Sequence, residues 1–382
     1  MKKSIFYWSP HSNSVGTVKS TLNSALSLKR YNNKYDVFVI NVCGEWNDYK
    51  KFFSENSIKL IKLNFNYFKF LPKRGFIFSR FSYFLIYILS CIPILILLKK
   101  DKPDILFFHL ITSLPLTILK VFTFKTEFVL RISGYPKLNF LRKMIWKSVS
   151  NKIKCVTCPT RDLKNDLEGM NIFDGKKIYF LPDAIARIKE FKKEINFSFD
   201  KNIPKNKKII LSAGRLTNQK NYLYLVNEFF EFSKINDQFV LFILGEGEKK
   251  SEIQRLIKKR GIEDKVFLLG YKKNIYSYMH KSSIFVLSSL WEEVGFVIVE
   301  AALCNSFVIS SNCPNGPKEF LDNGKRGILF ESNQSNALLN SLKNFSKMEK
   351  NQIYENKVRL KKEAKKYTIF RHYIELNKIL EL

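Results

Sequence analysis

The sequence alternates between short apolar runs of strand length and longer segments of helix length along most of its 382 residues. In the first half the predicted strands are Ser4–Trp8, Val37–Val42, Asp104–His109, Glu127–Ile132, Cys155–Cys158 and Ile178–Leu181. In the second half they are Ile209–Ala213, Val240–Leu244, Val266–Leu268, Ile284–Leu287, Phe307–Ser310 and Gly327–Phe330. Such alternation is typical of doubly wound parallel sheets, because a parallel strand is reached through a crossover that is usually a helix. The length fits two such domains better than one.

A polar, lysine-rich segment separates the two sets of strands. It covers residues 187–208, contains a proline and has no sustained apolar periodicity, so it is the predicted linker. The predicted organisation is a Rossmann-like domain over residues 1–186, a second over residues 209–366, and a C-terminal helix over residues 367–382. In open α/β sheets ligands bind beyond the carboxyl ends of the strands, so we expect the two domains to face across a ligand-binding cleft.

The chain is strongly basic, and the excess is larger in its first half. Residues 1–190 hold 32 Lys and Arg against 13 Asp and Glu, whereas residues 191–382 hold 33 against 21. This charge favours an anionic partner, such as a phospholipid surface, a phosphorylated substrate or a nucleic acid. The lysines are spread out, however, and a general abundance of Lys, Asn, Ile and Phe is an alternative explanation.

One hydrophobic stretch is long enough to suggest a membrane span. Phe81–Leu98 contains 18 residues without a charge, but Pro93 interrupts it and basic residues flank both of its ends. It leads directly into the predicted strand Asp104–His109. We therefore expect a buried or membrane-surface helix rather than a span.

Two cations follow the first strand of the second half. Gly214 allows a tight turn at the end of the strand, and Arg215 and Lys220 come shortly after it. An arginine fork and a movable lysine ammonium together suit a diphosphate. Gly245 and Gly247 follow the next strand, but they lack the third glycine of a dinucleotide fingerprint.

Two carboxylates follow the strand Ile284–Leu287. Glu292 lies in the predicted loop and Glu300 on the helix that comes next, with seven residues between them. Residues 294–299 between them are apolar and should be buried, and Gly295 and Phe296 are expected to begin the helix. A carboxylate next to buried apolar residues needs a partner. Carboxylates bind vicinal hydroxyls of ribose and hexose well.

These motifs, taken in order, resemble the retaining glycosyltransferases of family 4, which have the two-domain GT-B fold. The shared pattern is Gly-Arg-Leu with a lysine five residues after the arginine, Gly-x-Gly, Phe-Leu-x-Gly at residues 267–270, Glu-x7-Glu-Ala, and Gly-Pro-x-Glu at residues 316–319. It covers roughly residues 211–330. The first half resembles the acceptor domain of the family more loosely.

The resemblance implies a role for each matching residue. Arg215 and Lys220 bind the donor diphosphate, Glu300 holds the ribose, and Glu292 contacts the transferred sugar. The other implied donor-site residues are Gly16, Gly214, Gly245, Leu268, Gly270, Val294, Gly295 and Phe296. His109, directly after a strand, resembles a histidine beside the donor sugar and acceptor. Glu293 departs from the family pattern in the loop after Glu292, which leaves the identity of the sugar open.

The resemblance also implies the reaction and its partners. It implies transfer of a hexosyl or N-acetylhexosaminyl group, from a nucleotide sugar that we expect to be a UDP-sugar, with retention at the anomeric carbon. No Asp-x-Asp occurs in the chain, so we expect neither a metal nor another cofactor. The expected acceptor is a glycan or a polyprenyl-diphosphate-linked sugar in polysaccharide, O-antigen or capsule synthesis. The expected location is cytoplasmic, peripheral at the inner face of an anionic cell membrane, with no nucleic-acid partner.

Two alternatives remain at the level of sequence. A non-enzymatic protein that binds membranes or nucleic acid would explain the charge without needing the two glutamates. A sugar-nucleotide epimerase or a phosphorylase of the same architecture would use a similar nucleotide site.

Overall fold

The computed structural model describes residues 2–11, 16–72, 76–109, 113–195 and 206–382, with only the helical backbone at residues 76, 77 and 79. The chain divides into two compact units. The first comprises Met1–Ile185 and Ile369–Leu382, and the second comprises Ala186–Thr368.

The first unit is built on a parallel sheet. Its strands in the described residues are β1 (Lys3–Trp8), β2 (Tyr35–Asn41), β3 (Lys59–Lys62), β4 (Ile105–His109), β5 (Glu127–Arg131), β6 (Cys155–Cys158) and β7 (Ile178–Phe180). They lie in the order β3-β2-β1-β4-β5-β6-β7. The helices between them are α1 (Gly16–Tyr31), α2 (Lys50–Glu55), α3 (Phe76–Lys100), α4 (Leu114–Val121), α5 (Phe140–Val149) and α6 (Arg161–Gly169). The strand order reverses between β1 and β4, so the carboxyl ends of these two strands form the switch point where a ligand is expected.

The second unit repeats this architecture. Its strands in the described part of the chain are β8 (Lys208–Ala213), β9 (Phe239–Leu244), β10 (Val266–Gly270), β11 (Ile284–Leu287), β12 (Phe307–Ser311) and β13 (Ile328–Phe330), in the order β10-β9-β8-β11-β12-β13. Its helices are α7 (Ile188–Ile195), α8 (Tyr222–Ile235), α9 (Lys250–Arg260), α10 (Tyr276–Lys281), α11 (Phe296–Leu303), α12 (Gly316–Phe320), α13 (Ala337–Lys347) and α14 (Lys350–Ala364). Here the switch point lies between β8 and β11.

The C-terminal helix α15 (Ile369–Glu381) belongs to the first unit, where it packs against α1. Its apolar side is buried: Ile369, Leu376, Ile379 and Leu380 join the core formed around β1 and α1. The helical spacing of these residues in the sequence accounts for this packing.

The observed elements differ from the predicted ones at two places. The edge strand β3 was not predicted, because its sequence Lys-Leu-Ile-Lys is short and charged at both ends, as edge strands often are. The predicted linker begins with helix α7, whose Phe191 is buried and packs against Tyr276 with the two rings tilted by 58°. Residues 196–205 of that linker, residues 12–15 before Gly16, and Lys73 and Arg74, two of the basic residues that precede the apolar stretch Phe81–Leu98, lie outside the described residues.

The long apolar segment forms α3. One side of α3 packs into the core of the first unit through Ile86, Ile94, Leu97 and Leu98. Among the described residues, Arg80–Lys100 is the stretch that is long and apolar enough to cross a membrane, with a mean hydropathy of 2.4. About a third of it is buried within the protein, consistent with packing on one side only.

Candidate functional site

The loops that follow β8 and β11 are held together at the switch point of the second unit. The backbone N–H of Leu290 donates to the carbonyl of Gln219 at 2.8 Å, and the Gln219 side-chain amide donates to the carbonyl of Trp291 at 2.8 Å. The Ser288 hydroxyl donates to the carbonyl of Lys220 at 2.8 Å. Both loops leave the same edge of the sheet, because β8 and β11 are parallel neighbours.

The central contact between these loops is an ion pair. The Lys220 ammonium donates to Oε1 of Glu292, and the Ser289 hydroxyl donates to the same oxygen at 2.7 Å. The side chains of Lys220 and Glu292 are only 13% and 10% exposed. Charges that are this little exposed require partners. Lys220 and Glu292 are therefore a paired cation and anion rather than two solvated surface groups.

Gly214 makes room for the lysine. A Cβ at this position would lie 3.0 Å from Cε of Lys220 and 3.1 Å from the Tyr222 hydroxyl. Burial raises the pKa of Tyr222 well above its usual range, so this hydroxyl stays protonated beside the lysine stem.

Two further glycines let the neighbouring loop approach. Gly245 has a φ of +140°, and a Cβ there would lie 1.9 Å from the carbonyl oxygen of Gly214. A Cβ at Gly247 would lie 2.3 Å from the carbonyl oxygen of Leu216. The Gly-x-Gly motif therefore serves close packing of the β9 loop against the β8 loop.

Arg215 lies at the outer side of the same loop. Its side chain is exposed, and Nη2 donates a long hydrogen bond of 3.5 Å to Oε1 of Gln219. The structure therefore brings Arg215, Lys220 and Glu292 to one edge, with Arg215 the most accessible of the three.

The second glutamate of the motif is buried in α11. Glu300 is 5% exposed, and Oε1 accepts a hydrogen bond of 3.3 Å from the hydroxyl of Tyr276. The helix begins at Phe296 after Gly295, whose φ is +71°, and Val294 before it is buried. The backbone N–H groups of the first turn of α11 point toward the carboxyl edge of the sheet, where an anion is favoured.

The loop after β12 braces the glutamate loop. The backbone N–H of Gly316 donates to the carbonyl of Glu293 at 2.8 Å, and the Asn315 side chain donates to the Glu293 carboxylate at 3.3 Å. A Cβ at Gly316 would lie 2.4 Å from the carbonyl oxygen of Glu293. The Gly-Pro-x-Glu motif thus fixes the segment that carries Glu292 and Glu293.

Leu268 and Gly270 lie at the end of edge strand β10. The pairing with β9 shifts register between these two residues, and Gly270 has a φ of +69°. The backbone N–H of Gly245 donates to the carbonyl of Gly270 at 2.9 Å. This hydrogen bond connects the end of β10 to the loop after β9. The backbone groups of β10 lie at the edge of the sheet, because β10 is its first strand.

In the first unit, His109 ends β4 at the switch point. Its Nε2 lies 3.4 Å from the Thr21 hydroxyl, which also contacts the Ser9 hydroxyl at 3.0 Å. Burial, reinforced by the nearby Arg131 guanidinium, lowers the pKa of His109 to about 3. The imidazole is therefore neutral at physiological pH and can act as a hydrogen-bonding group but not as a cation. Gly16 is the first residue of α1, four residues before Ser20.

A buried ion pair that the sequence did not reveal lies beside His109. Nη2 of Arg131 is 2.7 Å from Oδ1 of Asp183, with both side chains nearly inaccessible, and the Ser20 hydroxyl donates to the same oxygen. The second guanidinium nitrogen, Nη1, donates to the carbonyl of Leu181 at 2.8 Å. Arg131 ends β5 and Asp183 follows β7, so the strand-end rule used for the second unit would have selected both.

The C-terminal helix contributes a second buried histidine to this region. Nδ1 of His372 lies 2.7 Å from the carbonyl of Pro182, and Nε2 lies 2.9 Å from the Ser24 hydroxyl, which also contacts Tyr7 at 2.9 Å. Burial lowers the pKa of His372 to about 4. A neutral imidazole that donates through Nδ1 and accepts through Nε2 satisfies both contacts.

A polar cavity of about 240 Å³ lies in the first unit at the carboxyl ends of β2 and β3. Amide and lysine side chains dominate its lining, which is formed by Asn41, Gly44, Asn47, Lys50, Leu60, Lys62, Asn64 and Asn66. The side chain of Asn41 is itself fixed, because its oxygen accepts from the backbone N–H of Gly44 at 3.1 Å. The cavity combines amide groups, which bind hydroxyls, with two ammonium groups, which bind phosphate.

Within the residues that the structure describes, no group of three or more His, Cys, Asp or Glu side chains is arranged to hold a metal ion. The described residues therefore offer no candidate metal site.

Comparison with known proteins finds a family that is similar to much of the second unit. Residues 193–367 match the family described as glycosyl transferases group 1. This range contains Arg215, Lys220, Glu292 and Glu300, so the match covers the whole second-unit constellation.

Three relatives illustrate the range of similar proteins. An uncharacterized glycosyltransferase from Methanocaldococcus jannaschii is 30% identical over 60% of this chain, and the chain spans 60% of that protein. An N-acetylgalactosamine-N,N'-diacetylbacillosaminyl-diphospho-undecaprenol 4-alpha-N-acetylgalactosaminyltransferase from Campylobacter jejuni is 28% identical over 64% of this chain and 67% of its own length. The amylovoran biosynthesis glycosyltransferase of Erwinia amylovora is 26% identical over 89% of this chain and 90% of its own length.

Solved structures agree on the fold. A glycosyltransferase from Rickettsia africae has a TM-score of 0.78 at 20% identity, with 100% of this chain and 99% of that chain covered. Anabaena HepE in complex with UDP and glucose has a TM-score of 0.72 at 14% identity, with 99% of both chains covered. The prediction of two Rossmann-like domains in a GT-B fold is thus confirmed.

Proposed function

We propose that this chain, whose residues 193–367 match the group 1 glycosyl transferases, is a retaining, nucleotide-sugar-dependent glycosyltransferase. The proposed reaction moves a hexosyl or N-acetylhexosaminyl group from a UDP-sugar to a glycan or a polyprenyl-diphosphate-linked sugar during polysaccharide, O-antigen or capsule synthesis. The observation that carries this proposal is the convergence of Lys220, Glu292 and Arg215 at the switch point of the second unit, with Glu300 on the adjoining helix.

In the proposed donor site each group has a distinct task. Lys220 and Arg215 neutralise the diphosphate, and the first turn of α11 at Phe296 adds backbone N–H groups. Glu300 accepts from the ribose hydroxyls and Glu292 from hydroxyls of the transferred sugar. Leu268 and Gly270 offer backbone groups to the base, and Gly214 and Gly245 allow the strand-end loops to approach the ligand.

The leaving group explains why cations are needed. As the bond from the anomeric carbon to the β-phosphate oxygen breaks, the sugar becomes positive and the diphosphate gains negative charge. Fixed cations beside that oxygen stabilise this charge separation without reorganisation. We propose a front-face route in which the acceptor hydroxyl gives its proton to the leaving phosphate oxygen as the new bond forms on the same face. The cations of the chain serve the diphosphate, so the proposal includes no metal or other cofactor.

The first unit supplies the proposed acceptor site. Neutral His109 at the switch point is suited to hydrogen-bond a sugar hydroxyl, and the helix that begins at Gly16 starts at the same edge. The polar cavity at β2 and β3 has the amide and ammonium groups that a sugar phosphate would need. Support for a lipid-linked acceptor comes from the Campylobacter jejuni relative, whose name specifies a diphospho-undecaprenol acceptor. The proposed location of the present protein is the cytoplasmic face of an anionic cell membrane.

The test is incubation with radiolabelled UDP-, GDP- and ADP-sugars, scored for hydrolysis, for transfer to lipid-linked sugars and for epimerisation. We expect one nucleotide sugar to be hydrolysed slowly and transferred when acceptor is added. Lys220→Ala and Glu300→Gln should abolish most of this turnover, whereas Lys234→Ala, on the exposed side of α8 and paired with Glu231, should not. Conversion of the donor to an epimer would favour the epimerase alternative, and inactivity with every donor would favour a non-enzymatic binding protein.

A further inference from the structure

Helix α3 has two apolar sides, of which the first unit covers only one. The buried side consists of Ser82, Ile86, Ser90, Ile94, Leu97 and Leu98. The opposite side exposes large apolar residues at helical spacing: Phe78, Phe81, Phe84, Ile88, Leu89, Ile92 and Ile96. A helix that is apolar all round is normally buried, and an exposed stripe of this length marks a surface that another apolar phase covers.

Helix α5 extends this stripe. The first five residues of α5 include the exposed Phe140, Leu141 and Met144. Burial, and then the charge of Arg80 near the start of α3, lowers the pKa of Arg142 in α5. α3 packs on α4 and α4 packs on α5, so the exposed residues of α3 and α5 belong to one side of the first unit. We call these ten exposed residues of α3 and α5 the apolar face.

The charged residues within helices α3, α4 and α5 are all basic. The sequences of α3, α4 and α5 contain no Asp or Glu, and their basic residues are Arg80, Lys99, Lys100, Lys120, Arg142, Lys143 and Lys147. Lys99 bends over the ring of Phe122, with its ammonium 4.8 Å from the centroid. Lysine and arginine beside an apolar surface keep their stems on that surface and their charges toward the surrounding polar layer.

We propose that the apolar face is a docking surface for an anionic lipid bilayer, with α3 lying in the plane of the interface. The exposed phenylalanine and isoleucine side chains enter the acyl region, and the surrounding basic groups contact lipid phosphates. This inference rests on the membrane location given in the proposed function and deepens it by naming the surface that docks, and it does not depend on which sugar is transferred.

A transmembrane orientation of α3 fits the structure less well. A span would have to remove Ile86, Ile94, Leu97 and Leu98 from the core they share with β4 and α4. A second copy of the chain is also a poorer occupant of the apolar face. Two such faces brought together would place the basic residues of α3, α4 and α5 of one copy near those of the other.

The experiment is flotation of the full-length protein with vesicles of phosphatidylcholine alone and of phosphatidylcholine mixed with phosphatidylglycerol. The test variant is Ile88→Glu with Ile92→Glu, two residues one turn apart on α3 that are 50% and 69% exposed. The matched control is Tyr354→Glu with Val358→Glu on α14, which have the same spacing and exposures of 69% and 48%. Hydrolysis of the nucleotide sugar without lipid is measured for each protein, so that loss of docking is separated from loss of the donor site.

We expect wild type and the control to float with the anionic vesicles and to be released by salt or alkaline carbonate. The α3 variant should bind at least about tenfold more weakly and retain hydrolysis. The proposal is overturned if wild type does not bind anionic vesicles, or if the α14 control variant loses vesicle binding as strongly as the α3 variant. It is also overturned if wild type resists alkaline carbonate as a spanning protein does, or if it forms a lipid-free dimer that the α3 substitutions dissociate.

Discussion

Lys220 and Glu292 form an ion pair between two loops that are 72 residues apart in the chain and follow adjacent strands of one sheet. In the proposed donor site a diphosphate competes with Glu292 for the lysine ammonium. Substitution of Lys220 and substitution of Glu292 should therefore have different effects on diphosphate binding and on sugar transfer.

Lys220→Ala should weaken binding of the nucleoside diphosphate and reduce transfer roughly 10²- to 10³-fold, as loss of one fixed charge-stabilising group does in other enzymes. Glu292→Gln should bind the free nucleoside diphosphate at least as tightly as wild type, because the competing carboxylate is gone, yet transfer more slowly. Calorimetry of the diphosphate and initial rates with the sugar donor measure the two effects. Equal losses of diphosphate affinity in both variants would contradict this division of roles.

Gly214→Ala and Gly245→Ala should impair different properties of the protein, the first donor binding and the second stability. The new methyl at position 214 meets the flexible stem of Lys220 at 3.0 Å and the Tyr222 hydroxyl at 3.1 Å, at a backbone φ of +158°, so the protein should fold with a smaller loss of stability while the KM for the donor rises. The methyl at position 245 meets backbone oxygen at 1.9 Å and requires an unfavourable positive φ, so it should lower the free energy of unfolding by several kcal/mol, roughly 2 or more. Thermal denaturation and donor KM distinguish them, and identical behaviour of the two variants would show that the glycines do not have these separate tasks.

The buried pair of Arg131 and Asp183 should be important for stability. Asp183→Asn leaves the Arg131 guanidinium buried without its anion, which should cost about 3–5 kcal/mol. Glu168→Gln removes a partly exposed partner of Lys164 and should cost only about 0.3–0.5 kcal/mol. Urea denaturation measures both changes, and a small effect at Asp183 would mean that the pair is solvated in solution.

The two buried histidines should make stability depend on pH. Their pKa values in the folded protein are about 3 for His109 and about 4 for His372, below the unfolded value of about 6.5. The unfolded chain therefore binds more protons as pH falls below about 6.5, and each histidine should remove about 1.4 kcal/mol of stability per pH unit until its folded pKa is reached. Arg131 lowers both pKa values and Asp183 opposes it.

Denaturation curves of His372→Gln should show a shallower loss of stability between pH 6.5 and pH 4 than wild type. Gln can keep the contacts to Pro182 and Ser24 but cannot take up the proton. His280→Gln, which replaces an exposed histidine of α10, serves as the control and should leave the slope unchanged. An unchanged slope in His372→Gln would show that this histidine is not buried in the neutral form.

The sequence was most informative where a local rule acts on adjacent residues. Apolar runs located twelve strands because a buried parallel strand is apolar on both faces, and the residues that follow those strands include Arg215, Lys220 and Glu292. The edge strand Lys59–Lys62 was missed because a half-exposed strand lacks that signal.

Pairings between distant residues could not be predicted in the same way. Arg131 and Asp183 are 52 residues apart, and the hydrogen bond from Tyr276 to Glu300 joins two helices. Neither contact produces a periodic pattern in the sequence from which it could be predicted. The two sides of α3 were also indistinguishable in sequence, since both are apolar, and only the packing of Ile86 and Ile94 separates the buried side from Ile88 and Ile92.

The most direct test of the proposed donor site is calorimetric titration of UDP, GDP and ADP into wild type, Lys220→Ala and Glu300→Gln without added metal. We predict that wild type binds one of the three diphosphates, with UDP the expected one, and that each substitution weakens its binding by about tenfold or more, corresponding to at least about 1.4 kcal/mol. Binding that is unaffected by both substitutions, or no binding of any of the three, would contradict the assignment of Lys220 and Glu300 to a nucleotide-sugar site.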